Sequence, residues 1–126
     1  ETMRKSAISV FVISGAITLV FASLSFTPAT VSAAEANMVE EGKKAAYNRK
    51  KGNCLACHKI KGGNLPGNIG PELVNMKARY PDKASLRAKI WDATVTNPTT
   101  IMPPFGKHKI VSEKELDNIV EFIYTL

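Results

Sequence analysis

An all-α fold is what this chain predicts, and three features carry the prediction. Ser112-Glu113-Lys114-Glu115 is a capping box, followed by apolar residues at three- and four-residue steps: Leu116, Ile119 or Val120, Ile123 and Leu126. Glycine and proline cluster in two stretches, Ile60 to Pro71 and Thr94 to Lys109, which read as long irregular connections. No segment alternates apolar and polar residues as a half-buried strand would.

The elements follow in order. Met3-Arg4-Lys5 is a short basic start, and Ala7 to Phe26 is an apolar run interrupted by small residues. Pro28 and the string Val31-Ser32-Ala33-Ala34 complete the layout of a secretory signal, so residues 1–34 are expected to be removed. Glu1 and Thr2 ahead of Met3 do not fit that layout. A retained anchor is the competing reading, because the run is long enough to cross hydrocarbon. Its serine, threonine and glycine content and the missing basic stop-transfer cluster weigh against it. Either way, residues 35–126 lie across the membrane and suffice for one domain.

Ala36 to Lys51 predicts a first helix, with Glu35, Glu40 and Glu41 near its start and Lys43 to Lys51 basic toward its end, as the helix dipole favours. Gly52-Asn53 stops it. Glu72 to Ala78 allows one or two turns, with Pro71 near the first position. Asp82 caps a helix from Lys83 to about Ala93, with Leu86, Ile90 and Ala93 inward and Trp91 beside them. In the final helix, Val111 and Leu116 form a hydrophobic staple. Its regular stripe is expected to pack on the small face of the first helix, Gly42 and Ala46 letting the backbones approach.

Between the first helix and the first loop lies Cys54-Leu55-Ala56-Cys57-His58, which holds both cysteines and one of the two histidines. C-x-x-C-H is the attachment signature of a c-type haem. Thiols three residues apart share one side of a helical turn and can form thioethers to one porphyrin. His58 can then supply the proximal imidazole. A dithiol oxidoreductase would leave the histidine without a role. A structural zinc site would need two further ligands, and His108 alone cannot supply them. With both cysteines so used, no disulfide is available. The haem also enlarges a thin apolar core, so the haem-free chain is expected to be largely unfolded.

Met38, Met76, Met102 and His108 are the candidates for the opposite axial position. Thr100-Ile101-Met102-Pro103-Pro104-Phe105-Gly106 favours Met102, because two prolines stiffen an extended backbone that can present sulfur to iron. A thioether opposite imidazole stabilises Fe(II). Met76 lies beside core-like Leu73 and reads equally as packing, and His108 sits between Lys107 and Lys109 in a solvated segment. A backbone carbonyl near Pro71 is expected to accept the Nδ1–H of His58, freeing Nε2 for iron.

Gly52 to His58, Pro66-Gly67-Asn68-Ile69-Gly70-Pro71, Leu86 to Thr94, Asn97-Pro98, Met102 to Gly106 and Phe122-Ile123 together cover most of residues 35–126. With these strings the chain resembles the monohaem X-subunit family of the Sox thiosulfate-oxidising complexes, SoxAX. The resemblance implies a periplasmic, class I-like cytochrome c domain with one haem c, His58 and Met102 as axial ligands, and Pro71 supporting His58. It also implies a tight heterodimer with a SoxA-type subunit. Such complexes join thiosulfate to a cysteine on a carrier protein and release two electrons, with the chemistry on the partner's haem. No residue of this chain is then catalytic; it would accept electrons and pass them to a small cytochrome c.

A free-standing electron shuttle is the alternative function. A stable subunit should expose an apolar patch at the haem edge, with Ile101, Phe105 and Ile60 as contributors, whereas a shuttle should present mainly lysines. The formal charge of +6 is weak evidence, although Lys50, Lys51, Lys59 and Lys61 flank the haem motif and could steer an acidic partner. No motif supports nucleic-acid binding.

Overall fold

The computed structural model describes residues 32–126. The expected leader lies largely outside them, and the expected cleavage after Ala34 falls in the first turn of the first helix. Four α-helices occur among the described residues: α1 (Ala33–Tyr47), α2 (Met76–Arg79), α3 (Lys83–Trp91) and α4 (Glu113–Tyr124). Two short 3-10 turns, Cys54–Ala56 and Ala93–Val95, complete the regular structure, with no strand among the described residues.

Helix α1 ends four residues before the expected Lys51. Asn48 takes an extended conformation, and its side-chain oxygen accepts the Lys50 N–H at 2.9 Å. Its carbonyl takes the N–H groups of Lys51 and Asn53, both at 3.0 Å. An asparagine offering the backbone these local bonds outcompetes another helical turn. The short α2 also starts later than expected, at Met76 rather than Glu72. Leu73 donates its N–H to the Lys59 carbonyl at 2.9 Å, and Asn75 is left-handed at φ 52°. The residues just after Pro71 are therefore extended and paired across the loop.

Asp82 caps α3 by accepting the Ala84 N–H at 3.0 Å, as expected. The helix stops at Trp91 because Asp92 is extended and caps the next 3-10 turn, where Ala93 is buried. At α4 the capping box is formed in both directions, and the staple residues Val111 and Leu116 are buried.

The core lies where α4 meets α1 and α3. Leu116, Ile119, Val120, Phe122 and Ile123 pack with Ala45, Ala46, Leu86 and Ile90. At the α1–α4 crossing a Cβ on Gly42 would overlap the backbone carbonyl of Asn118, so only glycine allows this approach. Tyr47 and Phe122 meet edge to face with centroids 5.7 Å apart. Ion pairs add to the frame: Arg87 reaches Asp117 at 2.6 Å, Lys83 reaches Glu121 at 2.7 Å, and Lys51 contacts Glu115. Pairs this exposed contribute little singly, so apolar packing carries the assembly.

Gly42→Ala should force α1 away from α4 and lower stability by about 1–3 kcal/mol. Denaturant unfolding followed by far-UV circular dichroism checks this, and an unchanged midpoint would contradict the close crossing.

Candidate functional site: a cavity behind the Cys-x-x-Cys-His turn

Three backbone bonds hold the loop from Lys59 to Val74: two strap it onto the cysteine turn and the third closes the loop on its own first residue. Gly67 donates to the Leu55 carbonyl at 2.7 Å, Gly70 to Cys57 at 2.8 Å and Leu73 to Lys59 at 2.9 Å. Within the turn, the N–H groups of Cys57 and His58 both donate to the Cys54 carbonyl, at 3.2 and 2.8 Å. Cys54 and Cys57 thus bracket one tight 3-10 turn, and His58 leaves it directly.

The strap orients the imidazole. His58 Nδ1 donates to the Pro71 carbonyl at 2.7 Å, which leaves the Nε2 lone pair for a metal or an acid. Gly70 lies flat against the ring: a Cβ there would stand 2.5 Å from Cε1, 2.7 Å from Nδ1 and 3.0 Å from Nε2. Hydrogen bond and steric contact together fix the position of one side chain.

A cavity of about 730 Å³ opens beside this turn. Cys54, Cys57, His58, Pro71 and Met102 all line it, together with apolar Leu73, Leu86, Ile90, Ile119 and Ile123. That volume and lining belong to the range of cofactor sites, roughly 300–1,000 Å³. Two thiols, one imidazole with a free nitrogen and one thioether form the donor set of a c-type haem pocket. The residues present fit the group. Among the described residues no cluster of three His, Cys, Asp or Glu could hold a metal ion by itself.

The other ligand candidates separate on position. Met76 also borders the cavity, but it is only 2% exposed in the core, and its sulfur accepts from Arg79 at 3.4 Å. Met102 is half-buried on the irregular segment before Pro103, its N–H held by the Thr100 hydroxyl at 3.2 Å. His108 and Met38 are exposed and do not border the cavity. Burial pushes the Cys54 thiol up to about 11, whereas a dithiol oxidoreductase needs a thiolate near neutral pH.

Three expectations about the rim need correction. Ile60 is core, 2% exposed, because the loop turns it inward beneath the strap, so it offers nothing to a partner. Phe105 is half-buried against the core rather than presented outward. Lys51 and Lys59 are paired with Glu115 and Glu72, which dilutes the lysine ring. The sequence reading missed Ile69, which borders the cavity and is 64% exposed; Ile101, also on its border, is 72% exposed.

The family model described as cytochrome C oxidase, cbb3-type, subunit III matches residues 37–123. The chain belongs to that cytochrome family. This cytochrome is also similar to a chain in the crystal structure of SoxXA from P. pantotrophus, with 28% identity and a TM-score of 0.62. The match covers 68% of this chain and 79% of that one, and makes the fold that of a SoxX-like, all-α cytochrome c. An uncharacterized lipoprotein of Aquifex aeolicus (strain VF5) is 31% identical over 86 residues, 64% of this chain. The cytochrome spans only 42% of that curated relative's length. No described helix is long and apolar enough to cross a membrane.

Gly70→Ala should push the His58 ring off the Pro71 carbonyl and cut the yield of low-spin holoprotein about tenfold or more. Absorption spectra of variant and wild type matured in the same host check this, and equal yields would contradict the packing role of Gly70.

Proposed function

We propose that this cytochrome is the electron-accepting subunit of a SoxAX-type complex, secreted to the periplasm and paired with a SoxA-type subunit. In this reading Cys54 and Cys57 would hold one haem c, His58 and Met102 would ligate its iron, and Pro71 would support His58. When bound, the haem supplies one-electron exchange between Fe(III) and Fe(II). The chain's own residues do the rest. His58 presents Nε2 because Nδ1 is committed to Pro71. Leu73, Leu86, Ile90, Ile119 and Ile123 exclude water from the cavity wall, which favours the less charged reduced state. Met102 offers a soft sulfur that favours Fe(II).

The reading of a subunit over a free shuttle rests on the rim. Ile69 and Ile101 are both exposed at the cavity border, beside the basic Arg49 and Lys50, and two of the four flanking lysines are paired with carboxylates. An apolar rim suits a lasting protein interface more than a transient encounter, which depends on free charge. In the complex, thiosulfate would be coupled to a carrier-protein cysteine at the partner's haem, and the electrons would leave through this subunit to a small cytochrome c.

Two measurements test this. Native purification from the source cells should yield a heterodimer with a second cytochrome; recovery as a monomer would return the chain to the shuttle reading. In the ferric protein, near-infrared magnetic circular dichroism should show the methionine–iron charge-transfer band, and Met102→Ala should abolish it. Survival of the band in M102A would hand the ligand role to Met76.

A further inference from the structure

We propose that Asp92 is a positioning residue for Met102: its carboxylate latches both ends of the loop that carries the methionine. This rests on Met102 being the axial ligand. The loop between the 3-10 turn and α4 contains no regular element, and Pro103 and Pro104 contribute no N–H to hold it. Within the segment, the Met102 N–H bonds to Thr100 at 3.2 Å and the Pro104 carbonyl to the His108 N–H at 3.0 Å, both inside the loop, so fastening the loop to the helical frame falls to contacts on either side of Met102-Pro103-Pro104.

Those contacts converge on Trp91 and Asp92. Asp92 is 5% exposed. Its Oδ1 accepts the Thr94 N–H at 3.0 Å and the Thr94 hydroxyl, on the approach to the loop. Its Oδ2 accepts from Lys107 Nζ at 2.7 Å, beyond the prolines. The N–H groups of Gly106 and Lys107 both reach the Trp91 carbonyl, at 3.2 and 3.3 Å. Gly106 lies on the face of the Trp91 ring so closely that a Cβ would overlap it, and the Arg87 guanidinium sits 5.5 Å from the ring centroid. The Lys107 ammonium, followed by Thr94, holds the Asp92 carboxyl down at about 2, so the latch stays charged at neutral pH.

With haem bound, Met102 would leave the iron only when its loop swings away, and an exogenous anion could then take its place. The latch sets how often that happens. Asp92→Asn keeps the size of the side chain but removes the charge facing Lys107.

The test is the rate at which cyanide binds the ferric holoprotein, read beside the near-infrared methionine–iron band. Asp92→Asn should bind cyanide about tenfold faster, the factor expected for one lost charge-assisted hydrogen bond. Lys107→Met, at the solvent end of the pair, should accelerate binding in the same direction, and Lys107→Arg should restore it. Lys83→Met breaks a comparable pair between α3 and α4, away from this loop, and should leave the rate unchanged. A wild-type rate in both D92N and K107M, with the band present, overturns the latch alone. Equal acceleration by K83M overturns it too, since general destabilisation then suffices. Absence of the band in the wild type overturns the ligand assignment and the latch with it.

Discussion

The orientation of the imidazole in the candidate site depends on one hydrogen bond, from His58 Nδ1 to the carbonyl of Pro71 at 2.7 Å. It decides which imidazole nitrogen keeps its lone pair, and it ties the cysteine turn to the far end of the following loop. A bond from ring to backbone is only as rigid as the backbone, and here the backbone is held by the three bonds from Gly67, Gly70 and Leu73. The strap in turn stands on the core, because Ile60 and Leu73 anchor its two sides among buried residues of α3 and α4. The α1–α4 crossing at Gly42 supports that core from behind. A short chain thus achieves a fixed ligand by linking local turns to one tight helix contact.

The opposite side of the cavity is organised differently. His58 is held by a backbone strap, whereas Met102 sits on a loop whose prolines stiffen it but donate no N–H, the Pro104 carbonyl bonding only to His108 within the same loop. Side-chain chemistry takes over there, through Asp92, Thr94 and Lys107, with the Trp91 carbonyl and ring as a platform. This asymmetry fits a pocket in which one donor is permanent and the other is exchangeable in principle. The cavity border adds a third character: Ile69 and Ile101 face solvent while Leu73, Ile119 and Ile123 face inward, so the apolar lining continues onto the surface.

Much of this was legible in the residues, for physical reasons. The capping box at Ser112 and Glu115 is local chemistry, and it forms as written. Gly42 announced a close crossing because nothing else explains a glycine on a helix's inner face. The early end of α1 was hidden because Arg49, Lys50 and Lys51 are good helix formers, and the competing bonds all come from one residue, the side chain and carbonyl of Asn48. The delayed α2 depended on a bond from Leu73 to Lys59, fourteen residues away, which helix propensity cannot register. At the site, motif and local context singled out Cys54, Cys57, His58, Pro71 and Met102 as candidates, and all five line one cavity. Ile60 was misread as surface because an apolar residue after a motif looks the same from sequence whether a loop turns it in or out. Asp92 and Lys107 could not be paired in advance, since they lie fifteen positions apart, with a 3-10 turn and a long irregular loop between them.

The central proposal is that Cys54 and Cys57 hold a haem covalently, with His58 as a ligand to its iron. Its most direct test is the intact mass of the fully denatured protein after maturation in a host that assembles c-type cytochromes. The account predicts a single species heavier than the polypeptide by one haem, with the added mass surviving denaturation and acid extraction, and lost when Cys54 and Cys57 are both replaced by serine. A wild-type species at the mass of the bare polypeptide, or haem that extracts freely, would contradict it.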